Sequence, residues 1–366
     1  EELIYEALHS DFGKPKLEAY LSEFGIVMLE LDLAIKNIGR WSRRKHIRPS
    51  LLNFPSTDYI YSEPYGTVLI IAPWNYPFQL AIAPVIAAVA AGNTMVLKPS
   101  ELTPQTSALV ETILSNIFES QHVATVQGGV EVATELLSKK WDYIFFTGSV
   151  PLGKIVAQAA AKHLTPVTLE LGGKSPCIID KTVNIKLTAR RLVWGKFLNA
   201  GQTCISPDYL IVHSSIKDKL IEALVYKIER VYGKDPEQSE DYARIINSKN
   251  LNRLKTKLTD VNVVYGGTIN SETNYFSPTL VDEPAVDSEL MNDEIFGPIL
   301  PILSYESEED IERIISQFEK PLSFYVFSNN KGFAKKMMKD FSFGGGAIND
   351  TLIHFGNHRL PFGGVG

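Results

Sequence analysis

Cys204 is the side chain best placed to do covalent chemistry. It lies in the stretch Trp194 to Ser206, Trp-Gly-Lys-Phe-Leu-Asn-Ala-Gly-Gln-Thr-Cys-Ile-Ser, among small and polar neighbours. The spacing predicts a helix that breaks at Gly201 and presents the cysteine on a short turn, with Gln202 and Thr203 keeping the approach hydrophilic. A thiol so placed can ionise and attack a carbonyl carbon, since the thiolate is the nucleophile and needs access. Glu170 follows Val167-Thr168-Leu169 and precedes Leu171-Gly172-Gly173-Lys174, so it ends a predicted strand beside two glycines. Its carboxylate can take a proton from the thiol or from water; a structural ion pair with Lys174 or another lysine is the other reading. Asn75, between prolines in Pro73-Trp74-Asn75-Tyr76-Pro77, is a rigid amide donor suited to an oxyanion, or else a plain turn former.

Three further groups can hold a nucleotide. Gly148-Ser149-Val150-Pro151-Leu152-Gly153 joins a predicted strand to a predicted helix. Its glycines admit a close ligand, and the helix N-terminus favours a diphosphate. It lacks the middle glycine of G-x-G-x-x-G, so a simple turn stays open. Lys98 and Glu101, in Lys-Pro-Ser-Glu after another strand, can hold ribose hydroxyls or form a surface turn. Glu294 and Phe296, in Asn292-Asp293-Glu294-Ile295-Phe296-Gly297-Pro298, put a carboxylate and a ring on one loop, although Phe296 can also be core. Trp74, Tyr76, Trp194 and Ile205 either line an apolar tunnel or belong to the core.

The elements that must position these groups alternate between strand and helix. Residues 1–47 read as helical, and residues 48–64 as a β-hairpin that is either an oligomerisation arm or an edge of the main fold. From Gly66 on, apolar runs such as Thr67–Ala72, Thr94–Lys98 and Tyr143–Phe146 read as buried parallel strands. Helices over Leu80–Ala91, from Thr103-Pro104, over Val130–Lys139 and over 154–163 separate them. A strand pair over 166–180 and a second strand–helix series through Asn349 complete an α/β chain with parallel, doubly wound sheets. In such sheets ligands bind beyond the carboxyl ends of the strands, where the candidate groups cluster.

Length and composition bound the possibilities. The 366 residues suffice for two domains, and a net charge of −6 with 45 % hydrophobic residues gives no basic footprint for nucleic acid. Two cysteines, Cys177 and Cys204, exclude a disulfide framework and fit a reducing compartment; Cys177 reads as a buried packing thiol. The longest apolar stretch, Leu80–Ala91, is too short to span a bilayer and contains Pro84. The seven histidines show no metal-ligand spacing, and no G-x-S-x-G elbow is present.

Taken in order, Pro-Trp-Asn-Tyr-Pro, Leu-Lys-Pro-Ser-Glu, Phe-Thr-Gly-Ser, Leu-Glu-Leu-Gly-Gly-Lys, Gly-Gln-Thr-Cys and Glu-Ile-Phe-Gly-Pro resemble the aldehyde dehydrogenase superfamily over the whole chain. The surrounding text is most similar to the class 3 branch of fatty and aromatic aldehyde dehydrogenases and its bacterial relatives. The resemblance implies a Rossmann-like NAD(P)-binding domain over 1–47 and 65–171, an α/β catalytic domain over 172–366, and a small β oligomerisation arm at 48–64. Family chains extend past both ends of this one, and their C-terminal part completes that arm. The resemblance makes Cys204 the nucleophile, Glu170 the general base and Asn75 the oxyanion amide. It gives Lys98 and Glu101 the adenosine ribose, Gly148, Ser149 and Gly153 the diphosphate, and Glu294 and Phe296 the nicotinamide ribose side; no metal is implied. The implied activity is oxidation of aldehydes to acids with NAD or NADP through a cysteine thiohemiacetal and thioester. The implied setting is a cytoplasmic homodimer, with no membrane segment in this chain. A CoA-acylating relative would not need a base at 170, so the glutamate argues for water; a non-catalytic binding protein on the same fold is the alternative of another class.

Overall fold

Runs of apolar residues with no polar alternation become strands covered on both faces. The computed structural model describes residues 1–362, so the end of the expected catalytic domain at 363–366 lies outside the described residues. In chain order the first strands are β1 (Lys45–Ile47), β2 (Asp58–Ile60), β3 (Thr67–Ile71), β4 (Thr94–Lys98), β5 (Val123–Thr125), β6 (Tyr143–Thr147) and β7 (Val167–Glu170). They are followed by β8 (Pro176–Ile179), β9 (Tyr209–His213), β10 (Asn262–Tyr265) and a short ribbon of β11 (Ile269–Asn270) and β12 (Tyr275–Phe276). The last are β13 (Thr279–Asp282), β14 (Ile299–Tyr305), β15 (Ser323–Phe327) and β16 (Gly345–Ile348).

One sheet has the order β5-β4-β3-β6-β7. β3 runs parallel to β4 on one side, with Ile71 opposite Lys98, and to β6 on the other, with Ile71 opposite Phe146. The strand order therefore turns at β3, and the carboxyl ends of β3 and β6 flank a topological switch point. The other sheet has the order β10-β13-β14-β9-β8-β15-β16, with β10 antiparallel to β13 and the remaining pairs parallel. Its strand β8 sends Cys177 and Ile179 into one apolar cluster and Ile178 into another on the opposite face. This double coverage explains the unbroken apolar run Cys177-Ile178-Ile179.

Two compact units result, one of residues 1–4, 20–147 and 153–168, the other of residues 5–19, 148–152 and 169 onward. Several expected boundaries shift. The two strands expected as a pair over 166–180 belong to different sheets: β7 ends the first beside β6, and β8 lies in the second between β9 and β15. The first helical region ends at Trp41, and the hairpin starts earlier than residue 48, with Lys45 opposite Ile60. A 3₁₀ turn at Leu51–Asn53 closes the hairpin's loop, where the Ser50 hydroxyl accepts the Leu52 N–H at 3.1 Å. The helix expected over 154–163 starts at Val150 and ends at Ala161, which leaves Gly148 and Ser149 just before its N-terminus.

Candidate active site

The nucleophile candidate owes its position to an abrupt end of helix. The helix Ile185–Phe197 is capped by Asn184, whose Oδ1 accepts the Leu187 N–H at 3.1 Å. It stops at Leu198, before the expected break at Gly201, because Asn199 (φ 54°), Ala200 (φ 51°) and Gly201 (φ 73°) all take the left-handed conformation. For the two non-glycine residues this costs about 1–2 kcal/mol each. Gly201 has a second reason to be glycine: a Cβ there would run into the Gly297 carbonyl. Gln202 does not face the approach as expected; it is fully buried and ties the turn down. Its Nε2 donates to the carbonyls of Asn199 and Arg244, both at 3.0 Å, while its Oε1 accepts the Ile246 N–H at 3.0 Å. Beyond the cysteine, the Tyr325 hydroxyl donates to the Ile205 carbonyl at 2.6 Å and Ser206 Oγ to the Gly195 carbonyl at 3.1 Å.

The thiol itself is half-buried against Leu198, Ile205, Leu322 and Leu352. Burial, then the nearby carboxylates of Glu294 and Glu170, push it up to about 12, opposed by the backbone N–H groups of Cys204 and Ile205. The neutral thiol therefore prevails at physiological pH, and attack requires a base. Glu170 ends β7, and burial raises its carboxyl above the ordinary value. Its Oε2 is buried without a hydrogen-bond partner, an acceptor open to a proton. The expected alternative, a pair with Lys174, does not form: Lys174 Nζ binds Asp208 Oδ2 at 2.6 Å instead. That buried pair is itself anchored, Nζ donating to the Asp293 carbonyl at 3.1 Å and Asp208 Oδ1 accepting the Ile295 N–H at 3.0 Å.

The same anchor fixes the loop that carries Glu294 and Phe296. Glu294 rests against Gly172, where a Cβ would collide with its carboxylate, and accepts the Gly173 N–H. Burial and Asp208 push its carboxyl up to about 8. Phe296 is half-buried with φ 47°, while its neighbour Ile295 fills the core. The Arg253 guanidinium donates to the Phe296 carbonyl at 3.4 Å. Lys196, fully buried, is pushed down to about 8 by burial against the pull of Asp208 and Glu294. Lys174, Asp208, Lys196 and Arg253 were not singled out from sequence as members of a site, since a lone lysine or aspartate carries no local pattern.

The remaining candidates stand on the other sheet and its connections. Lys98 ends β4, is 4 % exposed and pairs with Glu101 at 2.6 Å. Gly148 follows β6 and donates its N–H to the Glu170 carbonyl at 2.9 Å; Ser149 is exposed, and Gly153 is buried within the helix Val150–Ala161. Asn75 follows β3 and is 4 % exposed. Of the apolar tunnel candidates, Tyr76 and Ile205 are buried, Trp74 is half-buried and Trp194 is 39 % exposed. A diphosphate is favoured at a helix N-terminus such as the one just beyond Gly148 and Ser149, and the absence of a Cβ at Gly172 leaves the room that Glu294 occupies.

The fold defines a class, an α/β enzyme with a nucleotide-type switch point on one parallel sheet and a cysteine turn beside another. The model of the aldehyde dehydrogenase family matches residues 1–366. The chain is 49 % identical over 368 residues to 4,4'-diaponeurosporen-aldehyde dehydrogenase of Staphylococcus aureus, covering 100 % of this chain and 80 % of that protein. It is 44 % identical over 360 residues to the dimeric NADP-preferring aldehyde dehydrogenase of Rattus norvegicus, covering 98 % and 80 %. Among solved structures, a substrate-bound Staphylococcus aureus AldH superposes with a TM-score of 0.97 at 48 % identity, covering 99 % of this chain and 80 % of that one. A Mycobacterium tuberculosis aldehyde dehydrogenase complexed with NAD+ gives 0.87 at 26 %, covering 97 % and 75 %. The chain belongs to the aldehyde dehydrogenase family. Its top relatives include class 3 enzymes, and it is an NAD(P)-dependent oxidoreductase that oxidises aldehydes to carboxylic acids.

Proposed function

We propose that Cys204 is the nucleophile of this oxidation and Glu170 its base. The observation that carries the assignment is a half-buried thiol presented beyond a left-handed turn, together with a Glu170 oxygen that is buried without a hydrogen-bond partner. Glu170 takes the thiol proton, and the sulfur adds to the aldehyde carbon to give a thiohemiacetal oxyanion. The Asn75 amide and the Cys204 N–H stabilise that oxyanion, one such donor lowering the barrier by about 3–4 kcal/mol. NAD(P)+, when bound, supplies the hydride acceptor. After releasing the first proton to solvent, Glu170 removes a proton from water, which attacks the thioester left by hydride loss; the C–S bond breaks, the acid leaves, and the thiolate takes that proton back from Glu170. Lys98 and Glu101 hold the adenosine ribose, Gly148, Ser149 and Gly153 the diphosphate, and Glu294 and Phe296 the nicotinamide ribose side; no metal takes part. The nucleotide-binding domain comprises 1–47 and 65–171, the catalytic domain 172–366.

The apolar lining of the thiol by Leu198, Ile205, Leu322 and Leu352 supports an aliphatic or aromatic aldehyde as substrate. Two unpaired cysteines support a reducing, cytoplasmic setting. The hairpin at 48–64 exposes Leu51, Leu52 and Phe54 by 95 %, 98 % and 74 %, which supports its role as the arm of a homodimer. Among the described residues no helix is long and apolar enough to cross a membrane. The deciding experiment follows reduced nicotinamide and acid product over aldehydes of graded chain length, with and without CoA. Loss of turnover in C204A with acid formed independently of CoA is expected; retained turnover in C204A overturns the assignment.

A further inference from the structure

The left-handed turn before Cys204 is strained, so something outside it must hold it. On one side stands Gln202, bound to the Asn199, Arg244 and Ile246 backbone. On the other stands a group from far along the chain: the Asn199 N–H donates at 2.9 Å to Oε2 of Glu18, a residue 181 positions earlier. Glu18 is 6 % exposed and lies at the end of the short helix Lys16–Ala19. The N-terminal segment is tied to the same region a second time, through the Arg244 N–H donated to the Phe12 carbonyl at 2.9 Å. A buried acid is costly there, and burial pushes its carboxyl up to about 7 against the pull of Asn199 N–H and Lys14, with Asp241 adding to the rise. A polar group kept in such surroundings needs a reason, and the bond to the turn supplies one.

We propose that Glu18 is a positioning residue for catalysis: by accepting the Asn199 N–H, its carboxyl oxygen holds the left-handed Asn199–Ala200–Gly201 turn that aims Cys204. It touches neither substrate nor cofactor and acts through the turn. The requirement is for an acceptor oxygen at that place, which glutamine also supplies and leucine does not.

The test compares E18Q and E18L in the full chain. Two readouts are taken: steady-state kinetics, and the rate at which iodoacetamide alkylates Cys204 in the absence of nucleotide, followed by peptide mass. Cys177 is fully buried and does not confuse the second. E18L is expected to lower kcat and the alkylation rate by about 10-fold to 100-fold, as a nucleophile displaced by about an ångström does. Its KM for NAD+ should stay within about twofold, and E18Q should restore both rates to within about threefold of the parent. If E18L does not accumulate as folded protein, E18D takes its place, because it keeps the charge but draws the oxygen back by one methylene; the same loss is expected. Parent-like rates in E18L or E18D, or an E18Q variant as slow as either, overturn the proposal. It rests on Cys204 being the nucleophile. Should C204S keep full turnover, that assignment fails, while the alkylation rates still report whether Glu18 holds the turn.

Discussion

At the scale of single residues, the candidate site is a set of groups whose surroundings raise them above their ordinary values. Cys204 is pushed up to about 12 and Glu294 up to about 8, while Glu170 lies above the usual carboxylate range. A base must be ionised to act, so activity should rise with pH through the elevated value of Glu170. The acid limb of the kcat profile is expected above the ordinary carboxylate range, and a limb at or below that range would exclude Glu170. E170Q should lose the single-turnover burst of reduced nicotinamide, and steady-state turnover should drop by about 10²–10⁴. Full steady-state activity in that variant would remove the residue from the mechanism. Asn75, 4 % exposed and polar, makes a separate expectation: N75A should lower kcat by about 10²–10³ with little change in KM for NAD+, measured under saturating aldehyde. Sequence alone offered these side chains as candidates, because cysteine, carboxylate and amide each carry their chemistry in their own atoms.

At the scale of elements, the helix Ile185–Phe197 and the turn behind it separate stability from catalysis. Asn184 caps the far end of the helix from the strained turn, so N184A removes one N-cap bond and nothing near the thiol. A loss of about 1 kcal/mol is expected, read as a fall in Tm of about 2–4 °C with kcat unchanged. G201A acts in the opposite sense. The methyl group meets the Gly297 carbonyl and forces the nucleophile turn to shift, so kcat should drop by about 100-fold while circular dichroism stays native. Equal effects on Tm and kcat from the two variants would refute this separation. Most of the strands and helices were legible as well, since apolar runs and helical spacing are local patterns. Local pattern assigns no element over 242–267 or 275–297, yet the helix Ser248–Thr256 and strands β10, β12 and β13 form there. Short strands at a sheet edge owe their existence to partners, as β10 does in pairing antiparallel with β13, and carry little periodicity of their own.

At the scale of the whole molecule, the exposed apolar residues of the β1–β2 hairpin set the assembly expectation. Leu51 and Leu52 are almost wholly exposed, an arrangement a lone chain has no use for. Sedimentation velocity on the protein is expected to show a dimer, and L51K/L52K to shift it towards monomer; a monomeric parent, or a double variant that remains dimeric, would exclude the hairpin as the arm.

The sequence by itself determined which residues are candidates for the chemistry and that strands and helices alternate around them. Motif residues such as Gly-Gln-Thr-Cys and Leu-Glu-Leu-Gly-Gly-Lys, and apolar runs such as Cys177-Ile178-Ile179, act within a few positions of one another. The tertiary structure alone decided that strands β7 and β8 belong to different sheets, that Gln202 faces inward and that Lys174 binds Asp208 and leaves Glu170 Oε2 open. It also brought Glu18 beneath a turn 181 residues away. Each of these is a contact between distant segments, and its energy depends on burial and partner geometry that no local spacing encodes.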